Sequence, residues 1–441
     1  MKKQNWQAPL QSDFSTALGV KPQVLLSFDG ERVCSDGGLP ILSAVGRRMG
    51  LWDSLSRCLS PSGGRVRHDR FRMAMLRVLG ICCAYEDCND FDTLRHDPLF
   101  DLSTNLKGDL ASQPTLCRFE NSVTEEEVQA LMRELVEIAL RERKKAPRRV
   151  VIDLDATDDP TYGQQEFAFF NTHAGGDCYI VQLATFSFDG SRAELVWADL
   201  RPGNHGASRD SAGLVEFLVS RLRAHFPRVK VLVRADGAYS VPTLLDMCES
   251  LNVQYVIGFG NDPQSQIQSE PFNARARALY AAGDKQPRVY GEFQRRTKSW
   301  KAHRRIVCKA RFDGKEEKVR FVVTSLKGRP RDVYKLYCGR GDMENRIKDM
   351  KLDLYSGRTS CHDYTANRFR LALHAYAYVL LDALRKMLEG TELADARLGT
   401  LRLRLVKIAA LVRKTTRRIF VRFAKAHPWQ DHLKLAVQLL T

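Results

Sequence analysis

No stretch of the 441 residues approaches the roughly 20 consecutive apolar residues of a membrane span, and Met1-Lys2-Lys3-Gln4-Asn5-Trp6 leads into no apolar run of a secretory signal. A membrane protein is not expected, and a cytoplasmic location is. The eleven cysteines form no Cys-x-x-Cys pair, and the close set Cys82, Cys83 and Cys88 lies beside an apolar, helix-like run rather than at zinc-ligand spacing. Reduced, packed thiols are expected instead of a zinc site. Internal repeats and low-complexity tracts are missing, which argues against a solenoid and against wholesale disorder. Acid is in short supply: 52 Asp plus Glu face 69 Lys plus Arg, for a net charge of +17. Such a surplus favours a polyanionic partner, because basic side chains displace the counterions held by phosphates. Apolar residues are present in ordinary amount, 44% of the chain. At this length about two to four structural units are expected.

Periodicity divides the chain into five segments. Residues 1–146 are expected to form a helical, DNA-binding unit: Phe71, Met75, Val78 and Leu79 recur at helical spacing, as do Val128, Leu131, Leu135 and Ile138. Within it, Ser112-Gln113-Pro114 opens a short helix carrying Arg118, which suits either the second helix of a helix-turn-helix motif or a packing helix. Residues 147–260 change period, with strands expected at 150–154, 179–188, 193–200, 229–235 and 253–259 and helices at 211–226 and 241–251, the order of a mixed sheet flanked by helices. Residues 261–330 begin with a polar stretch and continue as three β-like runs, an expected β-rich insertion. Residues 331–390 return to helix, with Phe369, Leu373, Tyr376 and Leu380 on one apolar face. Residues 391–441 form a basic tail: ten Lys or Arg and no Asp or Glu lie between Ala396 and Lys425. Arg413, Lys414, Arg417 and Arg418 in that tail are candidates for phosphate contact, a solvated basic face being the alternative.

Cutting a phosphodiester at neutral pH needs an activated oxygen nucleophile and a counter-charge for the leaving oxygen, which two magnesium ions about 4 Å apart supply. Magnesium prefers carboxylate oxygen, so the candidates are carboxylates that a fold can bring together. In Val150-Val151-Ile152-Asp153-Leu154-Asp155, two acids at i and i+2 project from one face of a β-branched strand. In Val229 to Ala235 an apolar strand ends at Asp236-Gly237, where open α/β sheets place their ligands. A third acid, Glu344, follows in Gly339-Arg340-Gly341-Asp342-Met343-Glu344. On a helix Arg340 and Glu344 are i and i+4 neighbours, and Lys351 is expected two turns further along the same face. Asp158 and Asp159, before Pro160, are expected to serve a turn.

Tyr337, Arg340, Glu344 and Lys351 resemble the Y-(2)-R-(3)-E-(6)-K signature of bacterial insertion-sequence DDE transposases, and the acids occur in the order D, D, E. The wording of Asp155-Ala156-Thr157, Gly163-Gln164-Gln165-Glu166, Arg234-Ala235-Asp236 and Arg340 to Lys348 is similar to the insertion-sequence family known as "thirteen-eighty", from about Gly38 to the C-terminus. The resemblance implies an RNase H-like core within an α/β fold and a cofactor of two Mg2+ ions, which Mn2+ can replace. It also implies cleavage at the element's terminal inverted repeats with strand transfer into target DNA, the partner being double-stranded DNA held by a homodimer. It gives Asp155, Asp236 and Glu344 as catalytic and metal-binding acids. Asp153 is the rival for the first place, its other reading being a salt-bridge partner for an Arg at the core edge. Tyr337, Arg340, Lys348 and Lys351 are expected along DNA. Trp300, in a basic run whose Arg304 is also a candidate for DNA contact, either stacks on an extruded base as in relatives' insertions or packs within a strand; His205 is expected in a turn. A nuclease without strand transfer and a DNA-binding repressor are the alternative functions.

Overall fold

A computed structural model describes residues 32–63, 67–104 and 109–441; the opening hexapeptide, and with it the start of the expected helical unit, lies outside the described residues. A short strand β1 (Val33–Cys34) precedes α1 (Leu39–Arg48), α2 (Leu51–Cys58), α3 (Arg70–Cys82), α4 (Phe91–Leu94), α5 (Pro98–Thr104), α6 (Gln113–Glu120) and α7 (Glu125–Arg141). Asp69 caps α3 by accepting the Arg72 amide at 2.8 Å, and Thr124 with Glu127 closes a reciprocal capping box on α7. Each arrangement satisfies donors that a first helical turn leaves open. The stripe Val128, Leu131, Leu135 and Ile138 is buried, as helical spacing requires.

The chain then builds β2 (Arg149–Pro160), β3 (Phe169–Asn171), β4 (Gly176–Phe188), β5 (Glu194–Arg201), α8 (Ser211–His225), β6 (Lys230–Ala235), α9 (Pro242–Ser250) and β7 (Gln254–Phe259). After α10 (Pro263–Ala281) come β8 (Arg288–Arg295), β9 (Arg304–Phe312) and β10 (Glu317–Thr324). The sheet order is β3-β4-β2-β6-β7-β10-β9-β8, with β5 also paired to β4. Neighbours β2, β6 and β7 are parallel and the remaining pairs antiparallel, so this is a mixed sheet in an α/β fold. Alternation along β2 divides its side chains between two layers. Ile152 and Leu154 pack with α8 and α9, while Val151 packs beneath Val333 and Tyr334.

Two elements depart from the sequence expectation. The polar stretch after β7 is the 19-residue helix α10, capped by Asp262. Its buried face is Ser265, Ser269, Asn273 and Ala276, correctly spaced for a helix but without the large apolar residues that make periodicity visible. The β-like runs beyond it extend the central sheet through the pairing of β10 with β7.

Beyond the sheet lie α11 (Pro330–Cys338), α12 (Gly341–Lys348), a π-helical turn over Asp349–Asp353, and α13 (Tyr364–Met387). Phe369, Leu373, Tyr376 and Leu380 of α13 are fully buried in one core with the N-terminal helices. The chain ends in α14 (Leu398–Leu401), a second π turn, the hairpin β11 (Ala410–Lys414) and β12 (Ile419–Phe423), and α15 (Gln430–Leu440), with β11 pairing to β1. Among the described residues no helix is long and apolar enough to cross a membrane.

Candidate active site

Register places the first two acids. β2 pairs with β6 in parallel as far as Leu154 opposite Ala235, so the next residues, Asp155 and Asp236, leave adjacent strands side by side at the carboxyl end. Adjacent strands lie about 5 Å apart. β2 continues to Pro160 against β4 alone. Asp236 turns the chain by accepting the Ala238 amide at 2.9 Å. Gly258 keeps that turn tight: a Cβ there would stand 2.6 Å from the Gly237 nitrogen and 2.8 Å from the Tyr337 hydroxyl.

The third acid is delivered by a buried ion pair. Arg234 meets Asp153 with two hydrogen bonds, Nε at 2.5 Å and Nη2 at 2.7 Å, and its Nη1 donates to the Leu336 carbonyl at 2.9 Å. The junction of α11 and α12 is thereby held over the sheet. Gly339 passes so close that a Cβ would come within 2.2 Å of the Arg234 guanidinium. Asp153 is fully buried with both oxygens paired to Arg234, the ion-pair partner of a core-edge arginine.

Arg340, at the head of α12, donates to Asp155 Oδ2 at 2.8 Å and lies 3.6 Å from Glu344, linking the first and third acids. Burial pushes the Asp155 carboxyl up to about 6, Arg340 opposes that rise, and the charges of Asp236 and Glu344 add to it. Burial also raises the Tyr337 hydroxyl, against Arg340 and together with Asp236. The three acids thus share one electrostatic field, with a guanidinium between two of them. Carboxylates are hard oxygen donors, the kind that magnesium-type ions prefer. Among the described residues no three His, Cys, Asp or Glu side chains close on a single point at ligand distance. Glu344 is more than half exposed, and both Asp155 oxygens are engaged, Oδ2 by Arg340 and Oδ1 by the Ala156 amide at 3.0 Å.

The fourth signature residue behaves differently. Lys351 lies in the π turn after α12 and donates to Thr157 Oγ1 at 3.2 Å and to the Asp158 carbonyl at 2.8 Å. It grips the outgoing end of β2 instead of continuing a helix face shared with Arg340 and Glu344.

Three further expectations are corrected. Trp300 is 3% exposed, packs 5.3 Å from Phe259 and has the Arg304 guanidinium over its ring, so it is a packing tryptophan and presents no face to a base. Arg304 is buried and ion-paired with Glu249 and Asp246, which removes it from the DNA-contact candidates. Asp158 and Asp159 lie in β2 rather than in a turn. Asp159 is buried, accepts from Thr359 at 2.8 Å and leaves its other oxygen unpartnered. The period-two series Asp153, Asp155, Thr157 and Asp159 carries that information, but Pro160 obscures it. His205 does close a turn, its amide donating to the Pro202 carbonyl at 3.0 Å. Lys348, Arg118, Arg413, Lys414, Arg417 and Arg418 are exposed; Arg118 and the hairpin residues stand on elements outside the acid cluster. The positioning role of Arg234 is not among the sequence expectations, although its place two residues before Asp236 puts it on the same strand.

No curated protein sequence matches the chain. The family model described as transposase DDE domain group 1 matches residues 16–441. The match spans both aspartates, Glu344 and the basic tail, and the chain belongs to the family of DDE-domain transposases.

Proposed function

We propose that this transposase cuts DNA at the terminal inverted repeats of an insertion sequence and joins the freed ends to target DNA, using an RNase H-like core in which Asp155, Asp236 and Glu344 are the catalytic acids. These three carboxylates would hold two divalent cations, Mg2+ or in its place Mn2+. When bound, the ions supply charge to the attacking and leaving oxygens together.

The chain's own residues set the stage for that chemistry. Asp155 and Asp236 gather negative charge at one sheet edge, where it repels a bare phosphodiester but attracts cations. Arg340 neutralises part of that charge and sits where a strand phosphate would approach. Tyr337 shapes the wall beside Asp236, and Lys351 fixes the end of β2 so that Asp155 keeps its place. Exposed Lys348 and the basic hairpin at Arg413, Lys414, Arg417 and Arg418 supply cations for DNA outside the cleavage point, as does Arg118 on α6. Two element ends must be held together before joining, so a homodimer on DNA follows from the reaction.

The observation that carries this function is the rung that sets Asp155 beside Asp236, with Arg340 tying Asp155 to Glu344. The test is incubation with magnesium and a labelled element-end duplex, wild type against Glu344→Gln, with products separated on a denaturing gel. Wild type yields nicked and joined strands. Glu344→Gln retains binding and loses both products by at least about a hundredfold, since even residues that only support metal ligands account for 10- to 100-fold effects. Cleavage and joining at the wild-type rate by Glu344→Gln overturns the assignment.

A further inference from the structure

At the carboxyl end of β5, on the α8 face of the sheet, lies a cavity of about 450 Å³ between the loop after β5, the start of α8, and Arg133 and Arg368. Four lining side chains hold buried polar atoms without a partner: Gln182 Nε2, Trp197 Nε1, Arg201 Nε and His205 Nδ1. All four are nitrogens able to donate. Gln182 and Arg201 are 3% and 5% exposed. Buried polar groups are nearly always satisfied, so several unfilled donors on residues that line one cavity call for an acceptor.

The backbone adds to the same preference. The 15-residue helix α8 starts at this cavity, its N-cap Asp210 makes no side-chain cap bond, and Gly213 of its first turn lines the wall. A helix N-terminus favours anions through its free amides and its dipole. The two carboxylates nearby do not cancel this. Asp199 is held by Arg368 at 2.7 and 3.0 Å, and the Asp210 side chain is three-quarters exposed. Arg201 is fixed as well: it donates to the Arg209 carbonyl, and to that of Ala207 at 2.9 Å, which builds the loop, while its Nε is buried without a partner.

The cavity and the acids share the carboxyl end of the sheet, on its two faces. Gln182 is directly opposite Ala156, the residue after Asp155, and buried Tyr239, three residues past Asp236, feels the charges of Arg201, Asp155 and Asp236 together. We propose that this cavity is a phosphate subsite, formed by Gln182, Trp197, Arg201, His205 and the start of α8, which takes a backbone phosphate of the DNA strand lying over the acids. Only the source of the phosphate rests on the proposed function; the anion chemistry does not.

The experiment follows the Trp197 indole N–H in the full-length 15N-labelled chain, assigned among the five tryptophans by Trp197→Phe. EDTA is present throughout, so that no strand is cut. Inorganic phosphate is expected to shift this resonance, whereas chloride at equal ionic strength leaves it in place. Gln182→Leu, which removes a donor from the cavity wall, weakens phosphate binding by about threefold to tenfold. A short DNA duplex displaces the phosphate. If neither phosphate nor duplex moves the Trp197 signal, the subsite is overturned. If phosphate binds but duplex does not displace it, the DNA source is overturned and a free phosphate or phosphomonoester takes its place. Loss of cleavage in Glu344→Gln with an unmoved Trp197 signal sinks the subsite alone, and the converse pair of results sinks the catalytic assignment alone.

Discussion

Asp159 shows how one side chain on β2 can cost the fold stability. Burial pushes its carboxyl up to about 6 from an unperturbed value of 3.8, with the Thr359 hydrogen bond opposing the rise. Between those two values the native chain binds a proton that the unfolded chain has released, so stability falls as pH rises through this window. Above it the ionised carboxylate costs the fold about 3 kcal/mol. Asp159→Asn is expected to raise unfolding free energy at neutral pH by about 2 to 3 kcal/mol and to remove its share of the acid-side slope. Asp155, also raised to about 6, keeps the rest of that slope. Urea titrations at several pH values decide this, and a variant no more stable than wild type at neutral pH would show that the ionised form is already compensated. Trp300 and Arg304 teach the opposite lesson at this scale. A basic run containing a tryptophan looks like a nucleic-acid surface in sequence, yet both side chains are spent inside the fold on Phe259, Asp246 and Glu249.

At the scale of elements, the buried Asp153–Arg234 pair ties β2 and β6 to the junction of α11 and α12 and so sets the height of Glu344 above the sheet. Asp153→Ala leaves a guanidinium buried and unpaired, for which a loss of about 3 to 5 kcal/mol is expected. The double variant Asp153→Ala with Arg234→Leu recovers part of that stability but not cleavage, because the grip on Leu336 is gone. Equal stability of the single and double variants in a denaturant cycle would rule out the pairing as the cause. The β11–β12 hairpin makes a separate prediction. Replacing Arg413, Lys414, Arg417 and Arg418 together by Ala is expected to reduce the salt slope of DNA binding by about 3 to 4, near one unit for each phosphate that the variant no longer neutralises. An unchanged slope in binding titrations across salt concentrations would place the hairpin away from DNA.

At the scale of the whole molecule, the N-terminal helices do not close their own core. Arg77 of α3, Glu120 of α6 and Arg370 of α13 form a buried network, and Phe119 meets Phe369 edge to face at 5.4 Å. α13 comes more than two hundred residues later in the chain, so the helical unit is completed by a segment from beyond the sheet. A fragment ending at residue 146 is therefore expected to lack a cooperative unfolding transition by circular dichroism, because it exposes the apolar surface that α13 covers. A sharp transition in that fragment would show the helices to be self-sufficient.

Outside helix α10, most of the helix and strand order, the α/β class and the D, D, E order of acids were legible in the chain itself, because hydrophobic period reports whichever face a segment buries and a strand that ends in Asp announces the sheet edge. Two kinds of fact were beyond that reach. Helix α10 buries serines, an asparagine and an alanine, so its correct spacing had no apolar contrast to display it. The roles of Asp153, Arg304 and Trp300 depended on which partner each would meet, and Asp153 meets a residue 81 positions away. A charge in sequence has a sign but no neighbour. Whether it faces DNA, a metal or a buried arginine is decided only when distant segments pack, since the cost of burying that charge is set by the partner that packing provides.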